Sequence, residues 1–197
     1  MKITDVKLIY AKHYLFVHIY TDEGIVGLGE AGNWGHLMAT AEAIKKFSTY
    51  LIGKDPSRID DIGQNLYRSL YFRGSVIMSA ISAIDIALWD IKGKKLGVPV
   101  YELLGGKTRD KVRVYASPMH KETDPEALKQ SYRELKEKGF TAAKIFVNGP
   151  IQSENGGRDE FYCGRVEDEL EKVAMIREAV GKDFDLILEA HRGMTVP

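Results

Sequence analysis

Glu189-Ala190-His191 sets a carboxylate and an imidazole two residues apart at the end of an apolar run that begins at Asp185. Side chains on a strand repeat every second residue, so a strand here turns both groups to one face. A carboxylate oxygen is a hard donor of the kind that suits Mg2+, an ion held by a few carboxylates and otherwise by water and substrate. Such a pair also occurs on strand ends that do nothing. Lys144 stands in a second short run, Ala142 to Val147. An ammonium directed inward from a sheet has to be paired or to titrate, because burying it alone is costly. An ordinary interior lysine paired with Glu189 or another carboxylate meets that demand as well as a functional one does. A third polar segment, Gly32-Asn33-Trp34-Gly35-His36, places glycines around an aromatic ring and an imidazole, which fits a loop that moves over a site. The alternative is a plain strand-to-helix connection with Trp34 packed down.

The elements that must carry these residues come in two grammars. Leu15, Val17 and Ile19 alternate with Phe16, His18 and Tyr20, and Asp22-Glu23-Gly24 turns the chain into Ile25 to Leu28. That pattern predicts an antiparallel hairpin, joined by Ile3 to Ile9 as a third strand. Spacings of three and four follow: Leu37, Ala41, Ile44, Ser48 and Leu51 before Gly53; Ile59, Ile62, Leu66 and Leu70 after Asp55-Pro56; and Ile77, Ile81, Ile84, Leu88 and Ile91. They predict three helices after the strands, an α+β order. From Val112 the pattern changes to strand (Val112 to Ala116), helix (Leu128, Tyr132, Leu135), strand (Ala143 to Val147), helix (Leu170, Val173, Ile176, Val180) and strand (Asp185 to Ala190). Such β-α-β-α-β order builds a parallel sheet, open or closed into a barrel. The grammars meet near Gly105-Gly106-Lys107, so the expected domains are 1–106 and 107–197.

Equal numbers of basic and acidic residues, 28 each, leave no field that draws a protein to nucleic acid or anionic lipid. A small-molecule partner is expected, with no nucleic acid and no membrane. Charged residues interrupt every apolar run before the ~20 residues that a bilayer requires. The single cysteine, Cys163, cannot form an internal disulfide and no leader pattern opens the chain, so the expected compartment is the cytoplasm. Gly27-Leu28-Gly29-Glu30-Ala31-Gly32 spells the dinucleotide fingerprint after a strand and before a helix. The strand before it belongs to a hairpin, which speaks against a nucleotide site.

The stretch from Tyr71 to Lys94, with Ser79-Ala80-Ile81-Ser82-Ala83-Ile84-Asp85-Ile86-Ala87-Leu88-Trp89-Asp90-Ile91-Lys92-Gly93 at its centre, and its continuation Leu96 to Gly106, resemble the capping-domain signature of the mandelate racemase/muconate lactonizing branch of the enolase superfamily. The resemblance implies an α+β capping domain, a three-stranded antiparallel sheet plus helices, followed by the first part of a (β/α)7β TIM-like barrel. Trp89 and Asp90 then have packing roles only. It further implies a Mg2+ cofactor held by carboxylates on three successive strands, of which Glu189 is the first, although Asp is commoner there. Racemases of the group carry Lys-x-Lys where this chain has Lys144-Ile145-Phe146. A single lysine followed by Asn148-Gly149 is similar instead to the galactonate-dehydratase-like members, in which this strand contacts the substrate. The implied function is dehydration of a sugar acid, with Lys144 and His191 catalytic, His191 as general acid to the departing hydroxyl. Asn148, Trp34 and His36 then contact substrate, Trp34 and His36 from a lid loop. The long glycine-rich stretch 148–162 lines the rim. The main base and two metal ligands belong to later strands, so the natural product is expected to continue past Pro197 and to form homo-oligomers. An epimerase, a cycloisomerase or a non-catalytic assembly module are the rival readings.

Overall fold

The computed structural model describes residues 1–118, 124–147 and 162–190. Contacts cluster into two compact units, Met1–Asp110 and Lys111–Pro197.

The first unit opens with β1 (Ile3–Ala11), β2 (Tyr14–Thr21) and β3 (Val26–Glu30), an antiparallel sheet in that spatial order. Leu15, Val17 and Ile19 are fully buried, and Phe16, His18 and Tyr20 on the opposite face are half-buried. The period-2 alternation therefore sorts the faces as the sequence predicts. β1 runs past Ile9, because Tyr10 and Ala11 pair with Leu15 and Tyr14 across a tight Lys12-His13 turn.

Two helices, α1 (Leu37–Leu51) and α3 (Ser75–Leu96), pack on the buried face, and α2 (Ile59–Arg68) packs against α3. In α1 it is Phe47, not Ser48, that completes the buried stripe. Beyond its end Gly53 takes a φ of 80°, and its N–H donates to the Ile3 carbonyl at 2.8 Å, which ties the helix to β1. A short α4 (Val100–Leu103) follows α3.

Contact between β3 and α3 is unusually close. A Cβ at Gly27 would lie 2.2 Å from the Ala87 carbonyl oxygen, and one at Gly29 would lie 1.9 Å from that of Ala83. These glycines serve backbone-to-backbone packing, which accounts for the fingerprint-like run without a nucleotide. The same helix covers the strand's edge: the Leu28 N–H donates to Asp90 Oδ2 at 2.8 Å, and the Lys94 ammonium donates to the Val26 carbonyl and to Asp90, each at 2.7 Å. Asp90 thus has a structural task, satisfying a backbone group on an edge strand.

The second unit contains α5 (Pro125–Glu137), β4 (Ala142–Phe146), α6 (Tyr162–Val180) and β5 (Asp185–Glu189). Asp124 caps α5 by accepting the Ala127 N–H at 2.7 Å. β4 and β5 are parallel, with Lys144 opposite Ile187 and Phe146 opposite Glu189. The expected strand Val112 to Ala116 is reduced to one bridge, Ala116 to Ala143, with Val112 and Val114 exposed. Beyond that bridge the residue placed to donate to the next acceptor on this edge of β4, the Lys144 carbonyl, is Pro118, which has no N–H, and the Tyr132 hydroxyl serves that carbonyl at 2.9 Å. In α6 the expected stripe holds at Ile176 and Val180 but not at Leu170, which is exposed, while Glu169 is buried against Lys172. Among the described residues no helix is long and apolar enough to cross a membrane.

Candidate active site

Ala143, Ile145 and Val147 join Leu128, Tyr132, Ile176, Val180 and Phe184 in a core between β4 and the two helices behind it. Strand alternation turns Lys144 and Phe146 to the opposite face, and the register sets Glu189 there too, level with Phe146. Phe146 and Glu189 close the C-terminal ends of their parallel strands, where such sheets place their chemistry, and Lys144 lies two residues before the end of β4. The Lys144 ammonium lies 3.9 Å from Glu189 Oε2 and 4.5 Å from the centre of the Phe146 ring. The lysine side chain is 17% exposed and the carboxylate 36%, so the acid is the more open partner. The lysine's charge is met from two sides, by a carboxylate and by the negative face of a ring.

In kind and position the Glu189 carboxylate oxygen fits a Mg2+ site. In number the described residues supply only this one ligand, since no three His, Cys, Asp or Glu among them gather into a cluster that could hold a metal ion. Asn148, His191 and the stretch 148–161 lie outside the described residues.

Trp34 and His36 belong to the first unit. Trp34 is 80% exposed, which removes the packed-down alternative, and its ring stacks on His13 with centroids 5.9 Å apart and planes inclined by 11°. His36 is exposed at the start of α1, where its carbonyl accepts the N–H of Thr40 at 3.0 Å and its hydroxyl at 3.1 Å. The structure therefore gathers Lys144, Phe146 and Glu189 in one unit and pairs Trp34 with His13 in the other. Sequence reasoning treated Phe146 only as the place of an absent lysine. Its i, i+2 spacing from Lys144 was the available signal that it walls the same face.

Residues 4–105 match the family description "Mandelate racemase / muconate lactonizing enzyme, N-terminal domain", and residues 127–197 match "Enolase C-terminal domain-like". A D-galactonate dehydratase of Pectobacterium atrosepticum is 43% identical over 197 residues, covering 100% of this chain and 49% of that enzyme. The crystal structure of an enolase-superfamily member from Salmonella Typhimurium aligns with a TM-score of 0.85 at 33% identity, over 96% of this chain and 55% of the other. The 3,6-anhydro-D-galactonate cycloisomerase of Zobellia galactanivorans aligns with a TM-score of 0.81 at 31% identity, over 99% and 52%. The chain spans about half the length of the curated relatives it matches.

Proposed function

The chain belongs to the mandelate racemase/muconate lactonizing family of the enolase superfamily, and from that premise we propose that the enzyme of which these residues form part is a Mg2+-dependent acid-sugar dehydratase. The observation that carries the reading is 43% identity to a D-galactonate dehydratase along the whole chain. Residues 1–106 form the capping domain and 107–197 open the barrel, with Trp34, His36 and Asn148 as substrate contacts. The protein works in the cytoplasm as a homo-oligomer on a small carboxylate substrate.

In the reaction, the α-proton of a sugar acid passes to a base, the β-hydroxyl leaves as water, and the resulting enol becomes a 2-keto-3-deoxy acid. Mg2+, when bound, offsets the negative charge that builds on the substrate carboxylate as the α-proton departs. Glu189 is one of the carboxylates that hold the ion. Lys144, beside Glu189 and Phe146, meets the substrate's anionic end. His191, two residues beyond Glu189, delivers the proton that leaves with the hydroxyl. We assign the base to parts of the enzyme outside these 197 residues.

Phe146 in place of a second lysine weighs against a lysine base on β4, hence against racemisation by that route. The likeness to a cycloisomerase makes one-proton chemistry the second reading. His191→Asn in the full-length protein separates the two. If His191 is the acid, this variant in D2O exchanges the α-hydrogen of its sugar acid while forming keto-deoxy product roughly 10²–10⁴-fold more slowly. Dehydration at the wild-type rate makes His191 a bystander. Loss of exchange together with dehydration, metal binding retained, makes it the base and favours the second reading. A full-length protein that neither binds Mg2+ nor turns over any sugar acid is a non-catalytic module.

A further inference from the structure

We infer that Tyr132 and Lys172 are positioning residues of the site, reaching from the two helices behind the sheet to hold the backbone of β4 at 144 and 146, the positions whose side chains face Glu189. In a parallel ladder the N–H and C=O groups of alternate residues point to the same edge. The Lys144 N–H donates to the Ala116 carbonyl at 2.8 Å, so 142, 144 and 146 present their backbone to that edge. Among the described residues strand pairing there is confined to Ala116. Side chains serve the next two acceptors. The Tyr132 hydroxyl donates to the Lys144 carbonyl at 2.9 Å, and the Lys172 ammonium donates to the Phe146 carbonyl at 2.6 Å.

Both donors are themselves fixed. Tyr132 is 2% exposed, and burial pushes its phenol up to about 12, so it stays a protonated donor across the working range. Lys172 also pairs at 3.0 Å with Glu169, which is 8% exposed. A charged donor on a carbonyl is among the stronger hydrogen bonds. Holding two carbonyls on one edge sets the peptide planes at 144 and 146, and with them the aim of the Lys144 and Phe146 side chains. On the other edge the Val147 N–H donates to the Glu189 carbonyl at 3.1 Å, so a shift at the end of β4 reaches the strand that carries Glu189.

The expected effect on rate rests on the dehydratase reading, whereas the backbone clamp does not, and two readouts keep them apart. In the full-length Mg2+-loaded protein, Lys172→Met is combined with Glu169→Gln so that no buried carboxylate is left unpaired. This double variant should keep the wild-type melting temperature yet lose about 10- to 100-fold in kcat with KM little changed, the result of misplacing reacting groups by about 1 Å. Lys172→Arg, which can still serve both partners, should recover most of the rate. A double variant with wild-type kcat, or an arginine no better than methionine, overturns the inference. Amide exchange over 145–147 should quicken about tenfold or more in the double variant, with the first unit unaffected. Unchanged exchange overturns the clamp whatever the reaction is. Quickened exchange in a protein without dehydratase activity supports the clamp and removes the reaction. Should the double variant not fold, Tyr132→Phe applies the same kinetic and exchange tests through the Lys144 carbonyl.

Discussion

Gly29→Ala puts one methyl group where the fold has no room for it. The added Cβ would lie 1.9 Å from the Ala83 carbonyl oxygen and 2.9 Å from its carbon. Carbon and oxygen approach comfortably at about 3.3 Å, so β3 must retreat from α3 by about 1.4 Å. That retreat carries Leu28 away from Asp90, a hydrogen bond of 2.8 Å, and Val26 away from Lys94, one of 2.7 Å. Overpacking costs about 1–3 kcal/mol, and a hydrogen bond to a charged group is worth about 1.5–3 kcal/mol. Overpacking together with the loss of one such bond costs about 2.5–6 kcal/mol, against a total stability on the order of 5–15 kcal/mol for a domain. Urea unfolding followed by circular dichroism measures it. Gly63→Ala, within α2 and with nothing within 4 Å of the added carbon, is the control and should stabilise by up to about 1 kcal/mol. A loss under about 1 kcal/mol for Gly29→Ala refutes the packing account. If the glycines served a dinucleotide, the variant would fold normally and lose nucleotide binding instead.

Glu189→Gln in the full-length protein should weaken Mg2+ binding by more than the ~10–100-fold typical of outer contacts and abolish Mg2+-dependent turnover, while Lys144→Met lowers turnover with metal affinity nearly unchanged; calorimetric titration checks both, and an unaltered affinity in Glu189→Gln removes that residue from the site. Burial, and secondarily the charge of Asp60, holds the Asp85 carboxyl above its ordinary value of 3.8. The folded state therefore binds that proton more tightly, and the stability this contributes at low pH is lost as pH rises from 3.8 through the folded value. Asp85→Asn should accordingly melt higher than wild type at pH 7, with the gain shrinking toward pH 3; an equal or lower melting temperature at pH 7 contradicts the sign.

Patterns decided by one face of one element were legible in the sequence. Leu15, Val17 and Ile19 declare the buried side of β2 because alternation answers to a single core. Asp124-Pro125 and Gly53 mark the end of an element through local backbone chemistry alone. Features that depend on what another element does at the same spot were not legible. Ser48 and Phe47 both fit a helical spacing, and only the packing of α1 chooses between them. Leu170 is apolar and in register, yet Glu169 takes the interior because Lys172 is there to pair with it. The segment Val112 to Ala116 has the composition of a strand. Only Ala116 pairs with β4, and a tyrosine on α5 serves the next carbonyl along that edge. The pairing of Lys144 with Glu189 was anticipated as the ordinary alternative. Its distance, and the share that Phe146 takes of the lysine's charge, needed the register of two strands.

That pairing bears on how one residue can be structural and functional together. An ammonium that is 17% exposed needs compensation in the absence of any substrate, and Glu189 with Phe146 provides it at 3.9 and 4.5 Å. Neither contact is a short, saturated hydrogen bond, so neither fixes the ammonium as firmly as the Tyr132 and Lys172 bonds fix the backbone beneath it. The site therefore sets an ion pair at 3.9 Å on a strand whose backbone is held by side chains from two helices. In the proposed reaction an incoming carboxylate would meet the lysine and Mg2+ would meet the acid. Rigid placement is what binding an anionic substrate beside a divalent cation demands, and it explains how a lysine that satisfies an ordinary packing role can also serve the reaction proposed here.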